Sequence, residues 1–206
     1  MGARLDPAEC SDWPAAVVLF HGAMSESMQD LGVAVLMPPP ETVRVLVPSP
    51  LGPLAVELTG QAVSRLTIAP PARLKKDYRP FGKMRSSDLL DEIFGRLSEY
   101  FAGARKNPEI DHDLGPSGVD SFERRVLREA CKVPYGKTRT YQAIAEAAGR
   151  PEAYRQVLSV LNANPIPLVI PCHRIVTNKS GVGGYVAGTR KKQWLLRLEE
   201  QVAARG

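Results

Sequence analysis

The chain of 206 residues is 44% hydrophobic and 24% charged, proportions that suit a globular protein with one large core or two small ones. No run reaches the ~18 to 20 consecutive apolar residues that span a bilayer, and the opening MGARLDPAEC lacks the basic and apolar regions of a secretory signal. These features predict an intracellular protein with no membrane partner. The net charge of +5 is uneven: residues 1 to 114 carry 12 Lys/Arg against 15 Asp/Glu, or −3, while residues 115 to 206 carry 15 against 7, or +8. A basic half of that kind suits a polyanion such as nucleic acid, and equally a basic protein without one.

In chain order, residues 1–41 contain an apolar stretch at 15–20 and end at Pro38-Pro39-Pro40, which read as a boundary; they are an extension of unknown role. Residues 42–47, 54–58 and 63–68 are strand-like around the turn cluster at 48–53 and Gly60, predicting a small antiparallel sheet. A basic loop near Lys75-Lys76 leads to Ser86-Ser87-Asp88, which can cap a helix running to about residue 101. Leu89, Leu90, Ile93, Phe94, Leu97 and Tyr100 mark its buried face, and Gly103 stops it. Residues 107–119, with Pro108 and Pro116, read as a linker, so that 42–114 and 115–206 are expected as separate domains.

The second half is mostly helical. Residues 121–131 place Phe122, Val126, Leu127 and Ala130 on one stripe. Residues 140–148 form a short helix capped by Thr140, Gly149-Arg150-Pro151 a tight turn, and 152–161 a second helix with Pro151 in its first turn. Helix, glycine turn, helix is the pattern of a helix-turn-helix, and also of two antiparallel core helices. Asn164-Pro165-Ile166-Pro167 breaks the second helix. Leu168-Val169-Ile170 reads as a buried strand or extended segment that delivers Pro171-Cys172-His173 to the edge of the core. The loop at 180–185 has three glycines, which let backbone N–H groups approach a ligand. A last helix over 191–202 has an apolar stripe of Trp194, Leu195 and Leu198, with Glu199 on a neighbouring face.

Cys10, Cys131 and Cys172 are odd in number and form no C-x-x-C pair, so neither a disulfide framework nor a cysteine-rich zinc site is expected. His21, His112 and Cys10 make no metal-ligand pattern, and no metal or cofactor is expected. A lone cysteine in an apolar segment is most often a core residue. Cys172 differs in having His173 beside it: a thiol with a pKa of ~8.5 is mostly protonated at neutral pH and needs a base or a positive field to act as a nucleophile.

The run from Pro134-Tyr-Gly-Lys-Thr-Arg-Thr-Tyr141 through Asn164-Pro-Ile-Pro-Leu-Val-Ile-Pro-Cys-His-Arg174 to Gly183-Gly-Tyr185 and Trp194-Leu-Leu-Arg-Leu-Glu199 resembles the O6-alkylguanine-DNA alkyltransferase family. Ser49-Pro-Leu-Gly52 and Tyr100-Phe-Ala-Gly103 are similar to that family's amino-terminal domain. The resemblance implies an α/β (α+β) fold, with a small sheet-plus-helix, ribonuclease H-like domain followed by a mostly helical, winged-helix-like DNA-binding and active-site domain. It implies that Cys172 irreversibly takes an alkyl group from O6 of guanine, that His173 accepts the thiol proton directly or through a water, that Glu199 holds the imidazole, and that Asn164 bonds the backbone of the active-site turn. Tyr141 would contact the flipped nucleotide and its phosphate, Arg155 would fill the place it vacates, and Pro171, Tyr185 and Val186 would line the alkylguanine pocket. The implied partner is double-stranded DNA containing O6-alkylguanine, with O4-alkylthymine as a second substrate to test, met by a monomer in the cytoplasm, nucleoid or nucleus.

Some residues depart from the family pattern. Tyr154, Gln156 and Leu158 stand where smaller residues are usual on the second helix, as obstructions in a minor groove or as wedges that widen it. Val186 stands where some members place a serine, and Leu127 where a tryptophan is common. Two rival functions remain: a non-catalytic alkyltransferase-like lesion-binding protein, which would lack the cysteine, and a cysteine hydrolase, whose histidine usually comes from a distant segment.

Overall fold

The computed structural model describes residues 42–83, 88–112, 121–177 and 181–205. The extension over 1–41, the Ser86-Ser87 cap and much of the 107–119 linker lie outside them. Three strands, β1 (Thr42–Val47), β2 (Leu54–Thr59) and β3 (Ala62–Ile68), form the expected antiparallel sheet. Cross-strand pairs Val45 with Val56 and Val47 with Leu54 bring apolar side chains onto the covered face. Two features are added to the expectation. Where a basic loop was expected, Ala72–Lys75 forms a one-turn helix, α1, started by Pro71. Beyond it β4 (Arg79–Pro80) pairs parallel to β1, giving the order β3-β2-β1-β4. A two-residue strand holding a proline has no alternation to read, so only its neighbour defines it.

Helix α2 (Asp88–Ala102) buries Leu90, Ile93, Leu97 and Tyr100, one stripe at helical spacing. Leu89 and Phe94 are only partly buried, and Phe94 stacks on Phe81 with ring centroids 4.7 Å apart. Gly103 ends the helix at φ 76°, and a Cβ there would meet Val202 at 2.5 Å, so the close approach of the last helix excludes other residues.

Helix α3 (Ser121–Cys131) buries Phe122, Val126, Leu127 and Ala130 as expected. β5 (Arg139–Thr140) leads into α4 (Tyr141–Ala147), where the Thr140 hydroxyl accepts from Ala143 N at 3.1 Å, the predicted cap. Gly149, at φ 81°, turns the chain. The second helix begins later than its residues suggest. Pro151–Ala153 is a 3-10 turn with Ala153 N bonded to Arg150 O, and α5 runs Tyr154–Asn162.

The segment at 168–170, expected as a buried strand or extended segment, is instead a tight turn. Pro167 and Ile170 close it, Leu168 adopts φ 79°, and Ile170 N reaches Ile166 O at 3.0 Å. The segment satisfies backbone groups within itself and through Asn164, so Leu168 and Ile170 are buried without a neighbouring strand. After the 3-10 turn Cys172–Arg174, β6 (Ile175–Val176) pairs parallel to β5. Helix α6 (Thr189–Ala203) corrects a second expectation. Its buried stripe is Lys192, Leu195 and Glu199, while Trp194 is 37% exposed and leans against Phe101. The two halves meet directly: Leu66 N donates to Pro165 O at 2.8 Å, over one continuous core. No helix among the described residues is long and apolar enough to cross a membrane.

Candidate active site

Asn164 follows α5 and is 3% exposed. Its Nδ2 donates to Ile170 O at 2.9 Å and to Cys172 Sγ at 3.0 Å, and its Oδ1 accepts from Ile166 N at 3.0 Å. One amide therefore shapes the turn and touches the thiol. Cys172 opens the 3-10 turn and is buried. Burial pushes the thiol up to about 11, against the opposing pull of the Asn164 hydrogen bond, the Lys192 charge and the local backbone. The resting group is thus a thiol, and its negative charge must be made during reaction.

His173 is fully buried with Nε2 2.9 Å from Glu199 Oε1, and its Nδ1 is buried without a hydrogen-bond partner. Glu199 also accepts from Tyr100 Oη at 2.8 Å, from Arg174 Nη2 and Nε at 2.9 Å each, and from Gly136 N at 3.1 Å. Burial works against its ionisation, but the hydrogen bonds from His173 and Arg174 and the charge of Arg174 prevail and bring it down to about 2. An ionised carboxylate only accepts, so the bonding assigns the ring proton to Nε2 and the lone pair to Nδ1. Burial, aided by the charges of Arg174 and Lys192, lowers the His173 pKa and keeps the ring neutral. Arg174 is an anchor: it also donates to Val133 O and Asn107 Oδ1, both at 2.8 Å.

Tyr141, the first residue of α4, is 6% exposed and donates to Gly184 O at 3.2 Å. Lys192 Nζ donates to the Tyr141 hydroxyl at 3.1 Å, to Gly184 O at 3.0 Å and to Ile175 O. A Cβ on Gly183, at φ 72°, would meet the Tyr141 ring at 2.9 Å, so glycine lets this loop lie against the tyrosine. Lys192 and Tyr100 are site residues that the sequence reading missed. Lys192 had one signal, its spacing of three and seven from Leu195 and Glu199. Tyr100 had its place on a core stripe and in the Tyr100-Phe-Ala-Gly103 motif, neither of which pointed to the site.

Of the residues expected around the alkylguanine, Pro171 is buried next to Cys172 and Tyr185 packs edge-on to His173 with centroids 6.3 Å apart. Val186 is exposed and lines a groove of about 140 Å³ with Arg65, Pro167 and Asn164. A larger cavity of about 410 Å³ lies between α5 and the glycine loop, walled by Tyr141, Tyr154, Leu158, Thr177, Gly183 and Gly184, with Gln142 beside them. Arg155 is exposed, Nε donating to Tyr154 Oη at 3.2 Å, and Gln156 is exposed next in the chain. Among the described residues, no group of three His, Cys, Asp or Glu side chains is placed to hold a metal ion.

Fold and site together define a mixed α/β protein in which a buried thiol, and an imidazole hydrogen-bonded to an ionised carboxylate, follow two short helices joined through a glycine turn. Residues 121–201 match the model of the 6-O-methylguanine DNA methyltransferase, DNA binding domain. The chain is 35% identical over 155 residues to the methylated-DNA–protein-cysteine methyltransferase of Methanosarcina barkeri, covering 75% of this chain and 95% of that protein. The crystal structure of Mycobacterium tuberculosis O6-methylguanine methyltransferase is similar at a TM-score of 0.67 and 29% identity, over 78% of this chain and 94% of that one. That of Mycobacterium tuberculosis OGT in complex with DNA gives 0.66 and 30%, over 77% and 93%. The chain belongs to the methylated-DNA–protein-cysteine methyltransferase family.

Proposed function

We propose that this protein repairs DNA by moving the alkyl group of O6-alkylguanine in duplex DNA onto Sγ of Cys172, once per chain. The carrying observation is the thiol held by Asn164 beside a neutral His173 whose Nδ1 lone pair is open. Sγ attacks the alkyl carbon, a C–S bond forms, the C–O6 bond breaks with its electron pair going to guanine, and the thiol proton goes, directly or through a water, to His173 Nδ1. Glu199 stabilises the imidazolium so formed, as an acidic third partner does in other triads. Because water and thiols do not reverse a thioether, the chain is spent after one transfer.

The O6 atom of a stacked guanine is out of reach of a buried thiol, so the nucleotide must be turned out of the duplex. The helical half is read as a winged-helix-like unit that lays α5 along the DNA, with Arg155 entering the stack. Tyr141, which burial keeps protonated with a pKa of about 12, would offer its hydroxyl to the flipped nucleotide. Pro171, Tyr185 and the glycine loop up to Val186 are assigned to the alkylguanine side. The protein is read as acting as a monomer, in whichever compartment holds the DNA.

Mass spectrometry of the intact protein after incubation with O6-methylguanine duplex tests this. One methyl per chain is expected, mapped to the Cys172 peptide, with none on Cys172→Ala, which still binds DNA. Methyl on Cys10 or Cys131, or repeated turnover, would sink the assignment. Binding without transfer would favour the lesion-binding alternative.

A further inference from the structure

The transfer chemistry above calls on Cys172, His173, Glu199 and Asn164, yet another hydroxyl enters their network from the opposite half of the chain. Tyr100, on α2, is fully buried. Its hydroxyl donates to Glu199 Oε1 at 2.8 Å and lies 3.4 Å from His173 Nε2. Burial, and then the negative charge of Glu199, hold its pKa well above 10, so it stays a donor throughout any working pH.

Oε1 is shared. His173 Nε2, Tyr100 Oη and Arg174 Nη2 all lie within 2.9 Å of it. Each donor draws negative charge from the oxygen and weakens the pull it exerts on the others. We propose that Tyr100 is a positioning residue for alkyl transfer, sharing Glu199 Oε1 with His173 so that the imidazole is held in place with its Nδ1 lone pair available. This rests on His173 being the proton acceptor. The groups facing the imidazole are Glu199 and Lys192 from α6, Cys172 and Arg174 from its own turn, Tyr185 from the glycine loop and Tyr100 from α2. Glu199 favours the charged ring; Arg174 and Lys192 oppose it. Tyr100 joins the opposing side without carrying a charge, by weakening Glu199 as an acceptor.

Tyr100→Phe removes the hydroxyl and keeps the ring against Phe101 and Tyr135, whose centroids are 5.4 and 6.2 Å away. Two readouts follow: the pH dependence of transfer from free O6-benzylguanine, and an NMR titration of the His173 ring in the unreacted full chain. The chain has three histidines, so the His173 signal is identified by its loss in His173→Gln. In Tyr100→Phe the acid limb of the rate profile and the ring midpoint are both expected to move up by about 0.5 to 1 pH unit. Leu97→Ala, a core truncation one turn earlier on α2, is the control: it lowers stability and should leave the midpoint in place. An unmoved midpoint in folded Tyr100→Phe, or an equal movement in Leu97→Ala, would overturn the proposal. The ring titration needs no transfer, so failure of the alkyl-transfer reading would appear separately, as wild-type protein that gains no alkyl group.

Discussion

Lys192 holds a cation in a place with no solvent exposure, and what it does there depends on pH. Burial lowers its pKa from 10.5 to about 8, and the neighbouring Cys172 opposes that shift. The ammonium therefore persists below about pH 8, where its positive field helps form the thiolate, and fades above it. Transfer is expected to rise with pH as His173 becomes neutral, then to decline through about pH 8. In Lys192→Met the upper limb should vanish and the plateau should fall about ten-fold or more, within the usual range for a lost charged group at a reacting centre. Gly184 O and Ile175 O also lose a donor, at a cost of ~1 to 3 kcal/mol that a urea melt would read. A variant that kept both the plateau and the upper limb would show that the lysine only braces the glycine loop.

At the scale of elements, α5 carries three of the departures from the family pattern, Tyr154, Gln156 and Leu158, and wedge and obstruction make opposite predictions for them. Leu158 and Tyr154 wall the same cavity as Tyr141 and the glycine loop, so they stand beside the expected path of a turned-out nucleotide. As an apolar wedge, Leu158→Ala is expected to weaken duplex binding by about 3- to 10-fold, the scale of one partly buried apolar side chain, with little loss of helix propensity. Tighter binding would instead mark Leu158 as an obstruction. Arg155 is exposed and engages only Tyr154 among the described contacts, a weak interaction at the surface. Arg155→Ala is accordingly expected to slow transfer from duplex DNA far more than transfer from free O6-benzylguanine, and equal loss on both substrates would exclude a base-flipping role. Competition binding and single-turnover rates at one fixed salt concentration measure both variants, because phosphate contacts make affinity steeply salt-dependent.

Across the whole molecule, Glu199 is the junction. It joins α6 to α2 through Tyr100, to the active-site turn through His173 and Arg174, and to the segment after α3 through Gly136. Its folded pKa of about 2 lies below the ordinary 4.5, so its stabilisation is complete above about pH 4.5 and is lost as pH falls through 2. That difference is worth about 3 kcal/mol. His173 acts in the same direction, since its pKa is lowered in the fold and unfolding lets it charge below 6.5. Stability from urea melts is thus expected to decline steadily on acidification from about pH 6.5. Glu199→Gln should begin about 3 to 5 kcal/mol lower at neutral pH, because Arg174 becomes a buried unpaired charge, and should then lose less on acidification. An unchanged acid slope in that variant would place the proton-linked stability elsewhere.

What the sequence determined by itself is local and periodic. Alternation defined β1 to β3, spacing defined the stripe of α3, Thr140 defined the start of α4, and the motif around Asn164, Cys172, His173 and Glu199 marked residues that the structure brings into two hydrogen-bonded pairs, Asn164 with Cys172 and His173 with Glu199. Tertiary structure decided whatever depends on burial or on a distant partner. The apolar run at 168–170 became a turn because Asn164 supplied bonds that a strand would have sought from a neighbour. The stripe of α6 admitted a lysine and a glutamate, which hydropathy puts outside, because partners from other elements satisfy them there. Tyr100 meets Glu199 across 99 residues of chain, a contact without a local signal. The thiol's raised pKa was likewise invisible, since a side chain acquires it only when the fold closes over it and removes the water that would solvate its charge.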